Sequence, residues 1–288
     1  MAQRTTVSIN GVLCEPDNAR VSIFDRGFLY GDSIYEVLRT VGGRPRWLEE
    51  HLVRLERSAA GIGLVLPRTR AQIWGLVDEA VGASGNEECY VRIIVTRGGG
   101  DLDLDPAKAV DPLIIVIAKA LRLPPEELYR SGAPLVVVGV RRNLRQAVDP
   151  SVKSGNYLNN ILALAEARRS GAYEAVMCDR DGFVAEGSTS NLFAVIRGAV
   201  CTPPVETGIL DGITRAKVLE ICAQKDIPVR EQPMRPEDLR GADEAFLTAS
   251  IRGVLPIRSV DGHAVGARCP GTITGRLMAL YRDRLATG

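Results

Sequence analysis

The order of apolar and polar residues in the first part of the chain alternates between the strand period of two and the helix period of about 3.6. Asn10-Gly11 lies between two short alternating runs, and this dipeptide suits a two-residue hairpin turn. Leu48, Leu52 and Leu55 recur at helical spacing. The predicted elements are therefore a hairpin over 6–14, helices over 47–64 and 69–81, and strands over 89–96 and 112–118.

A stretch with three prolines and no strong apolar period, residues 121–134, divides the pattern. Such composition is typical of a connection between domains. We therefore predict a small N-terminal domain over 1–122, a linker over 123–134 and a large domain over 135–288.

The second part of the chain continues with a mixture of strands and helices. Turn dipeptides at Asp181-Gly182 and Arg197-Gly198 punctuate apolar runs, which predicts an antiparallel meander. The other predicted elements are strands over 135–140, 244–248 and 254–260, and helices over 157–170, after Gly212 and from about 271. The expected class is α+β, with a smaller N-terminal α/β domain and a larger domain built on a mainly antiparallel sheet or barrel.

Composition excludes several classes of function. The 288 residues include 36 basic and 35 acidic side chains, so no basic surface for nucleic acid is expected. The first residues lack the apolar run of a signal peptide, and no apolar stretch could span a bilayer. Six scattered cysteines without a CxxC pair favour free thiols in a cytoplasmic protein. Two distant histidines leave no basis for a histidine-rich metal site, and we predict no metal.

Lys153 is the candidate reactive residue, although a lysine just before a helix is commonly a solvated one. It lies in a turn-like Lys-Ser-Gly-Asn stretch ahead of the helix predicted over 157–170. A lysine amine becomes nucleophilic when burial or a neighbouring cation lowers its pKa, and its main cofactor chemistry is a Schiff base with pyridoxal phosphate. That cofactor also needs a carboxylate at its pyridine nitrogen, and an arginine and a helix N-terminus at its phosphate.

Three further stretches could supply those groups. Glu186 begins a cluster of small polar residues, EGSTSNLF, and Arg54 lies on the predicted helix in HLVRL. Gly212, Ile213 and Thr214 in DGITR begin a helix whose N–H groups could bind an anion. Each stretch taken alone is as compatible with an ordinary surface turn or helix start.

The ordered set of motifs is far more specific than any one of them. From FDRGFLYGDSIYEVLRT through HLVRL, YVR, TRGGGDLDLDP, KSGNYLNN, EGSTSNLF and LDGITR to LTASIRGVLPIRSVDG, nearly the whole chain resembles the class IV aminotransferases. The resemblance implies a pyridoxal 5'-phosphate enzyme with the cofactor between its two domains. A scaffold that had lost this chemistry would lack the lysine, the glutamate or the phosphate-binding residues, which are all present.

The resemblance also implies individual roles. Lys153 matches the Schiff-base lysine, which also carries the proton between substrate and cofactor. Glu186 matches the partner of the pyridine nitrogen, and Tyr157 the residue that hydrogen-bonds the phenolic oxygen. The residues that match the phosphate-binding positions are Arg54, Ile213, Thr214 and Ser250.

The substrate is less well defined by the sequence than the cofactor. The motifs YVR and GDLDLDP resemble the corresponding stretches of branched-chain enzymes. Val37 stands where branched-chain enzymes usually have glycine, and the sequence there resembles the D-amino acid enzymes. We expect an amino acid, with a preference for branched-chain L-amino acids, and a 2-oxo acid such as 2-oxoglutarate. A D-amino acid or (R)-amine transaminase is the alternative, and 4-amino-4-deoxychorismate lyase a weaker one. The candidate substrate-binding residues are Tyr30, Tyr35, Tyr90, Arg92, Arg97 and Ile251.

The loop RGGGDLDLDP gives the last expectation. Leu102 and Leu104 alternate with acidic residues beyond three glycines, so they could reach outward from a flexible crossing. In the resembling family a loop at this place borders the partner subunit's active site. We therefore expect a homodimer or a higher homo-oligomer, with one of these leucines lining the substrate entrance in trans.

Overall fold

The computed structural model describes residues 4–287. They divide into two compact units. The first contains the described residues up to Arg122 together with Val152–Tyr157, and the second contains Leu123–Ser151 and Leu158–Thr287. Each unit combines helices with a sheet of its own, which confirms the predicted α+β class. Lys153, which precedes a helix of the second unit, belongs to the first.

The first unit is built on a six-stranded sheet in the order β2-β1-β6-β5-β3-β4. The hairpin predicted at Asn10-Gly11 is confirmed, because Ile9 pairs with Val12 across the turn. The strands are β1 (Thr5–Ile9), β2 (Val12–Cys14), β3 (Ser33–Val41), β4 (Arg44–Pro45), β5 (Cys89–Thr96) and β6 (Ile114–Ala120).

Helices cover one face of this sheet and form the core with it. They are α2 (Leu48–Gly61) and α3 (Arg70–Ser84), whereas the short helix α1 (Arg26–Tyr30) precedes β3 and contributes no residue to this core. On α2, Leu48, Leu52 and Leu55 are buried as the helical spacing predicts, and they pack against inward residues of β3 and β5 such as Leu38. Side chains that alternate with these inward residues, such as Tyr35 and Val37 of β3, lie on the opposite face of the sheet.

The second unit is built on a nine-stranded sheet in the order β12-β11-β10-β13-β14-β7-β8-β9, with β15 paired to β14. The end strand β9 lies beside β10, so the sheet curls into a partly closed barrel. Its strands are β7 (Ala133–Val137), β8 (Glu174–Cys178), β9 (Val184–Gly187), β10 (Asn191–Ile196), β11 (Ala199–Thr202), β12 (Val229–Glu231), β13 (Glu244–Ala249), β14 (Gly253–Val260) and β15 (His263–Ala264).

The helices of this unit are α4 (Glu126–Ser131), α5 (Leu158–Arg169), α6 (Ile213–Gln224), α7 (Pro236–Arg240) and α8 (Thr272–Thr287). The stretch 123–134 thus contains α4 and the first residues of β7. Within residues 4–287, no helix has the length and apolar character needed to cross a membrane.

Helix α5 forms within the predicted range 157–170, but it does not bury its larger apolar side chains. Leu158, Ile161 and Leu162 are more than half exposed, while Asn160 and Ala163 are buried. Small residues and one amide pack against the sheet, and the apolar side chains form an exposed stripe.

Candidate active site

Lys153 lies on a segment that is hydrogen-bonded along β3. Its carbonyl oxygen accepts from the Tyr35 N–H at 2.9 Å, and the Gly155 N–H donates to the Ser33 carbonyl at 2.7 Å. The Lys153 N–H donates to the Ser58 hydroxyl at 3.1 Å. These bonds fix the backbone on both sides of the lysine, so the turn-like stretch is part of the sheet edge.

The Lys153 side chain meets a buried tyrosine. The Nζ atom lies 3.4 Å from the Tyr35 hydroxyl and 4.4 Å from the centre of its ring. The Arg92 guanidinium lies 4.1 Å from the same ring centre, and the Tyr157 ring meets Tyr35 edge-on at 5.6 Å. Burial, with a contribution from Tyr157, raises the pKa of Tyr35. Tyr35 therefore remains a neutral phenol beside the amine.

The residues that share the Tyr35 side of the sheet come from β3 and β5. Tyr35 pairs with Ile94, and Val37 pairs with Arg92. Tyr90 is two residues from Arg92 and so points to the same side. The structure thus brings Tyr35, Tyr90 and Arg92 of the predicted substrate-binding set onto one face of the sheet, to which Arg39 and Lys119 also point.

Arg54 is buried in the first unit rather than exposed on its helix. Its Nε and Nη2 atoms donate to the two carboxylate oxygens of Glu36, each at 2.7 Å. His51 Nδ1 lies 2.7 Å from the same carboxylate. Sequence reasoning missed Glu36 and His51, although Glu36 occupies an inward position of an alternating strand, between Ile34 and Leu38, where a carboxylate is unusual.

The charges of this cluster are strongly coupled. Burial alone would raise the pKa of Glu36, but Arg54 and His51 outweigh it and hold that pKa below its usual range. Burial lowers the pKa of His51, and Glu36 only partly offsets this. The cluster therefore contains one anion, one cation and a neutral imidazole at neutral pH.

Two other predicted substrate residues lie elsewhere in the first unit. The Arg97 guanidinium donates to the Asp32 carboxylate at 2.8 Å and to the carbonyls of Gly63 and Ile62 at 2.9 and 2.7 Å. These contacts hold the Arg97 guanidinium against other residues of the first unit. Tyr30 is 38% exposed at the end of α1.

Glu186 is buried in the second unit and held by three groups. Arg142 Nε donates to Oε1 at 2.7 Å, and the Leu210 N–H donates to Oε2 at 3.0 Å. Asn191 Nδ2 lies 3.5 Å from Oε2. The fixed carboxylate is suited to a protonated ring nitrogen. Arg142 was missed by sequence reasoning because it lies in a loop with no periodic pattern.

The N-terminus of α6 is suited to an anion. Its N-cap is Gly212, so no side chain caps the helix. A Cβ atom at Gly212 would lie 2.0 Å from Asn191 Oδ1, so only glycine allows this close approach. Thr214 lies in the first turn, and the Thr248 hydroxyl on the adjacent strand β13 is buried with no partner among the described residues. Uncapped N–H groups beside an unpaired hydroxyl fit a phosphate.

Ser250 and Ile251 lie in the turn between β13 and β14. The turn is anchored by Arg252, whose Nη1 and Nη2 atoms donate to buried Glu174 at 3.1 and 3.0 Å. Gly253 has a φ of +66°, and a Cβ atom there would lie 2.9 Å from the Tyr281 ring. The anchoring arginine and the glycine give the turn a fixed shape.

Comparison with known proteins agrees with this chemistry. The model of the amino-transferase class IV family matches residues 33–260. A Methanocaldococcus jannaschii protein, provisionally named a branched-chain-amino-acid aminotransferase, is 38% identical over 96% of this chain and 95% of the relative. The D-alanine aminotransferase of Bacillus licheniformis is 33% identical over 97% and 96%. A T.th. branched-chain amino acid aminotransferase, solved with pyridoxamine 5'-phosphate, is 28% identical, with a TM-score of 0.93 over 98% of this chain and 94% of the other.

The chain belongs to the class IV aminotransferase family. It is therefore a transaminase that depends on pyridoxal 5'-phosphate, as the resemblance implied. Relatives of both branched-chain and D-alanine specificity match along nearly the whole chain, so the substrate has to be argued from its own residues.

Proposed function

We propose that Lys153 binds pyridoxal phosphate covalently and moves the proton at the substrate Cα. Tyr35 and Tyr157 orient the amine and the phenolic oxygen of the cofactor, and Glu186 pairs with the pyridine nitrogen. The residues that would bind the cofactor's phosphate are Arg54 in the first unit, and Ser250 and the N-terminus of α6 at Ile213 and Thr214 in the second. The bound cofactor supplies the electron sink for the carbanion formed at Cα. The contact of Lys153 Nζ with Tyr35, at 3.4 Å, supports this assignment most directly.

The proposed substrates are a branched-chain L-amino acid and a 2-oxo acid such as 2-oxoglutarate. Val37 and the Tyr35 and Tyr90 rings offer an apolar surface to an aliphatic side chain. Arg92, on the same surface, offers a guanidinium to the second carboxylate of the 2-oxo acid. Ile251 adds an apolar side chain at the β13–β14 turn.

The substrate proposal is tested by kcat/KM values for L-leucine, L-valine and D-alanine, each with 2-oxoglutarate as acceptor. We expect the L-amino acids to exceed D-alanine by about tenfold or more, the discrimination that a fitted apolar pocket gives. In Arg92→Gln, activity with 2-oxoglutarate should fall more than activity with an aliphatic 2-oxo acid. Arg68→Gln, which removes an exposed guanidinium of the same unit, is the matched control.

D-amino acid transamination is the second candidate. Val37 supports it, since the sequence resembles the D-specific enzymes at this residue, and so do the D-alanine aminotransferase relatives. A higher kcat/KM for D-alanine than for L-leucine would select this candidate without changing the roles of Lys153 and Glu186.

A homodimer is the proposed assembly, in a reducing cytoplasm where the six free cysteines remain thiols. The first unit exposes Ile23, Phe28, Leu102 and Leu104, each more than 60% accessible. The second exposes the apolar stripe on α5. Exposed apolar area of this kind is typical of a protein–protein interface. The Arg26 guanidinium donates to the carbonyls of Asp103 and Leu104, so the loop presents its leucines from a fixed base.

A further inference from the structure

Two fully buried polar side chains of the first unit have no part in the chemistry proposed above. Glu36 is 0% exposed and His51 is 1% exposed. Glu36 points into the helix-covered core, on the same side of β3 as Ile34 and Leu38, which are also 0% exposed. An ionised carboxylate in such surroundings is costly unless it is paired and hydrogen-bonded.

The pairing is geometrically specific. Arg54 donates two parallel bonds to the two oxygens of Glu36, both at 2.7 Å, which fixes the plane of the guanidinium. Because ionised Glu36 can only accept, His51 Nδ1 must be the donor across its 2.7 Å contact. His51 is thus held as one tautomer, and it fixes the carboxylate that in turn fixes Arg54.

We infer that Glu36 and His51 are positioning residues that preset Arg54 for the phosphate of pyridoxal phosphate. The inference rests on the proposed role of Arg54. An unpaired arginine would lose rotamer freedom when the phosphate binds, whereas the paired guanidinium is already held in one orientation. The Glu36 charge also allows the cation to be buried before the phosphate arrives.

The test compares two ligands that differ only in the phosphate. Equilibrium dissociation constants for pyridoxal phosphate and for pyridoxal are measured on wild type, Glu36→Gln and His51→Leu, from the visible absorbance of the bound ligand. We expect Glu36→Gln to weaken pyridoxal phosphate by about ten- to a hundredfold, the effect of a lost charged hydrogen bond, and to leave pyridoxal nearly unchanged. His51→Leu should also weaken the binding of pyridoxal phosphate relative to that of pyridoxal, by a smaller factor. The quantity compared is thus the ratio of the two dissociation constants.

Two controls distinguish this positioning role of Glu36 and His51 from a role in stability alone. Thr40→Val removes another fully buried polar group of β3, whose hydroxyl donates to Glu88 at 2.6 Å. Thr40→Val should change the affinities for pyridoxal phosphate and pyridoxal by the same factor, or change neither. His51→Asn retains an N–H donor near the position of Nδ1 and should restore the wild-type ratio that His51→Leu loses.

The inference is overturned if Glu36→Gln and His51→Leu retain the wild-type ratio of the two affinities, or weaken both ligands equally. If Glu36→Gln does not fold, the comparison of His51→Leu with His51→Asn decides in the same way. A wild-type protein that binds pyridoxal as tightly as pyridoxal phosphate would instead contradict the proposed role of Arg54 itself.

Discussion

Backbone bonds hold Lys153 in place. Its N–H and carbonyl groups are bonded to Ser58 and Tyr35. Lys153→Ala should therefore fold normally and have no measurable transaminase activity, because both the covalent attachment and the proton carrier are lost. Circular dichroism and turnover measure the two effects, with Lys217→Ala on α6 as a control. Near-normal turnover in Lys153→Ala would exclude the assignment.

Glu186 is expected to act on rate more than on cofactor binding. Glu186→Gln should slow the first half-reaction by about a hundredfold, since an amide cannot stabilise a protonated pyridine nitrogen. The variant also leaves buried Arg142 without its anionic partner, so thermal unfolding must be recorded beside the single-turnover rate. Glu206→Gln, at an exposed carboxylate, is the control. An unchanged single-turnover rate would assign Glu186 a different function.

The role of Arg54 is best tested by a substitution that keeps a positive charge beside Glu36. Removing the whole side chain would leave the buried Glu36 charge uncompensated, which costs about 3–5 kcal/mol of stability. Arg54→Lys keeps a cation but loses the two-pronged bond. It should raise the dissociation constant for pyridoxal phosphate, and saturating cofactor should restore most of kcat, because the phosphate is remote from the reacting carbon. A low kcat at saturation in a folded variant would show a further role.

At the level of single residues, the sequence offers candidates for the reactive groups but not the residues that position them. Lys153 and Glu186 were proposed from their motifs, because cofactor chemistry demands these residue types. Glu36 could have been found from the sequence, because it stands between two apolar residues at every second position of a predicted alternating strand. Arg142 could not, because only the fold brings this loop residue to Glu186.

The packing of β3 against α2 gives the chain a specific pH dependence. Burial lowers the pKa of His51, which faces Glu36 on β3, Arg54 on α2 and Lys153 beside them. The unfolded chain takes up this proton near the ordinary value of 6.5, and the folded chain does so only at lower pH. Stability is therefore full above that value and falls as the pH decreases below it, by up to about 1.4 kcal/mol per pH unit.

Chemical denaturation between pH 7.5 and 5.5 measures this dependence. His51→Asn should remove the histidine contribution, while His263→Asn, at the exposed second histidine, should leave it intact. A loss of stability that is the same in both variants would assign the dependence to carboxylates instead.

At the level of elements, the periodicity of apolar residues predicts where a helix or strand forms better than it predicts which of its faces is buried. Strand β5 spans Cys89–Thr96, as its alternation indicates. Helix α5 forms where predicted, but its leucines face outward because spacing alone does not tell which side meets a neighbour. The short helices α1 and α4 were not predicted, since five or six residues carry too little periodicity.

For the whole molecule, the exposed apolar residues predict assembly. Leu102 and Leu104 are 71% and 76% exposed, and covering both in a dimer is worth about 3–5 kcal/mol before ordering costs. Sedimentation should show a dimer at assay concentration, and the Leu102→Ala, Leu104→Ala double variant should change the preference between amino acids. A fully active monomer would contradict the dimer. Unaltered preference would contradict the role of the loop in trans.

The central claim, that Lys153 carries the cofactor, is tested most directly by borohydride reduction of the holoprotein followed by peptide mass mapping. Reduction makes a lysine–pyridoxal linkage permanent, so the modified residue can be read from the peptide masses. We predict a single phosphopyridoxyl group on the peptide that contains Lys153, and none in Lys153→Ala. A label on another lysine, or an unlabelled holoprotein, would contradict the account.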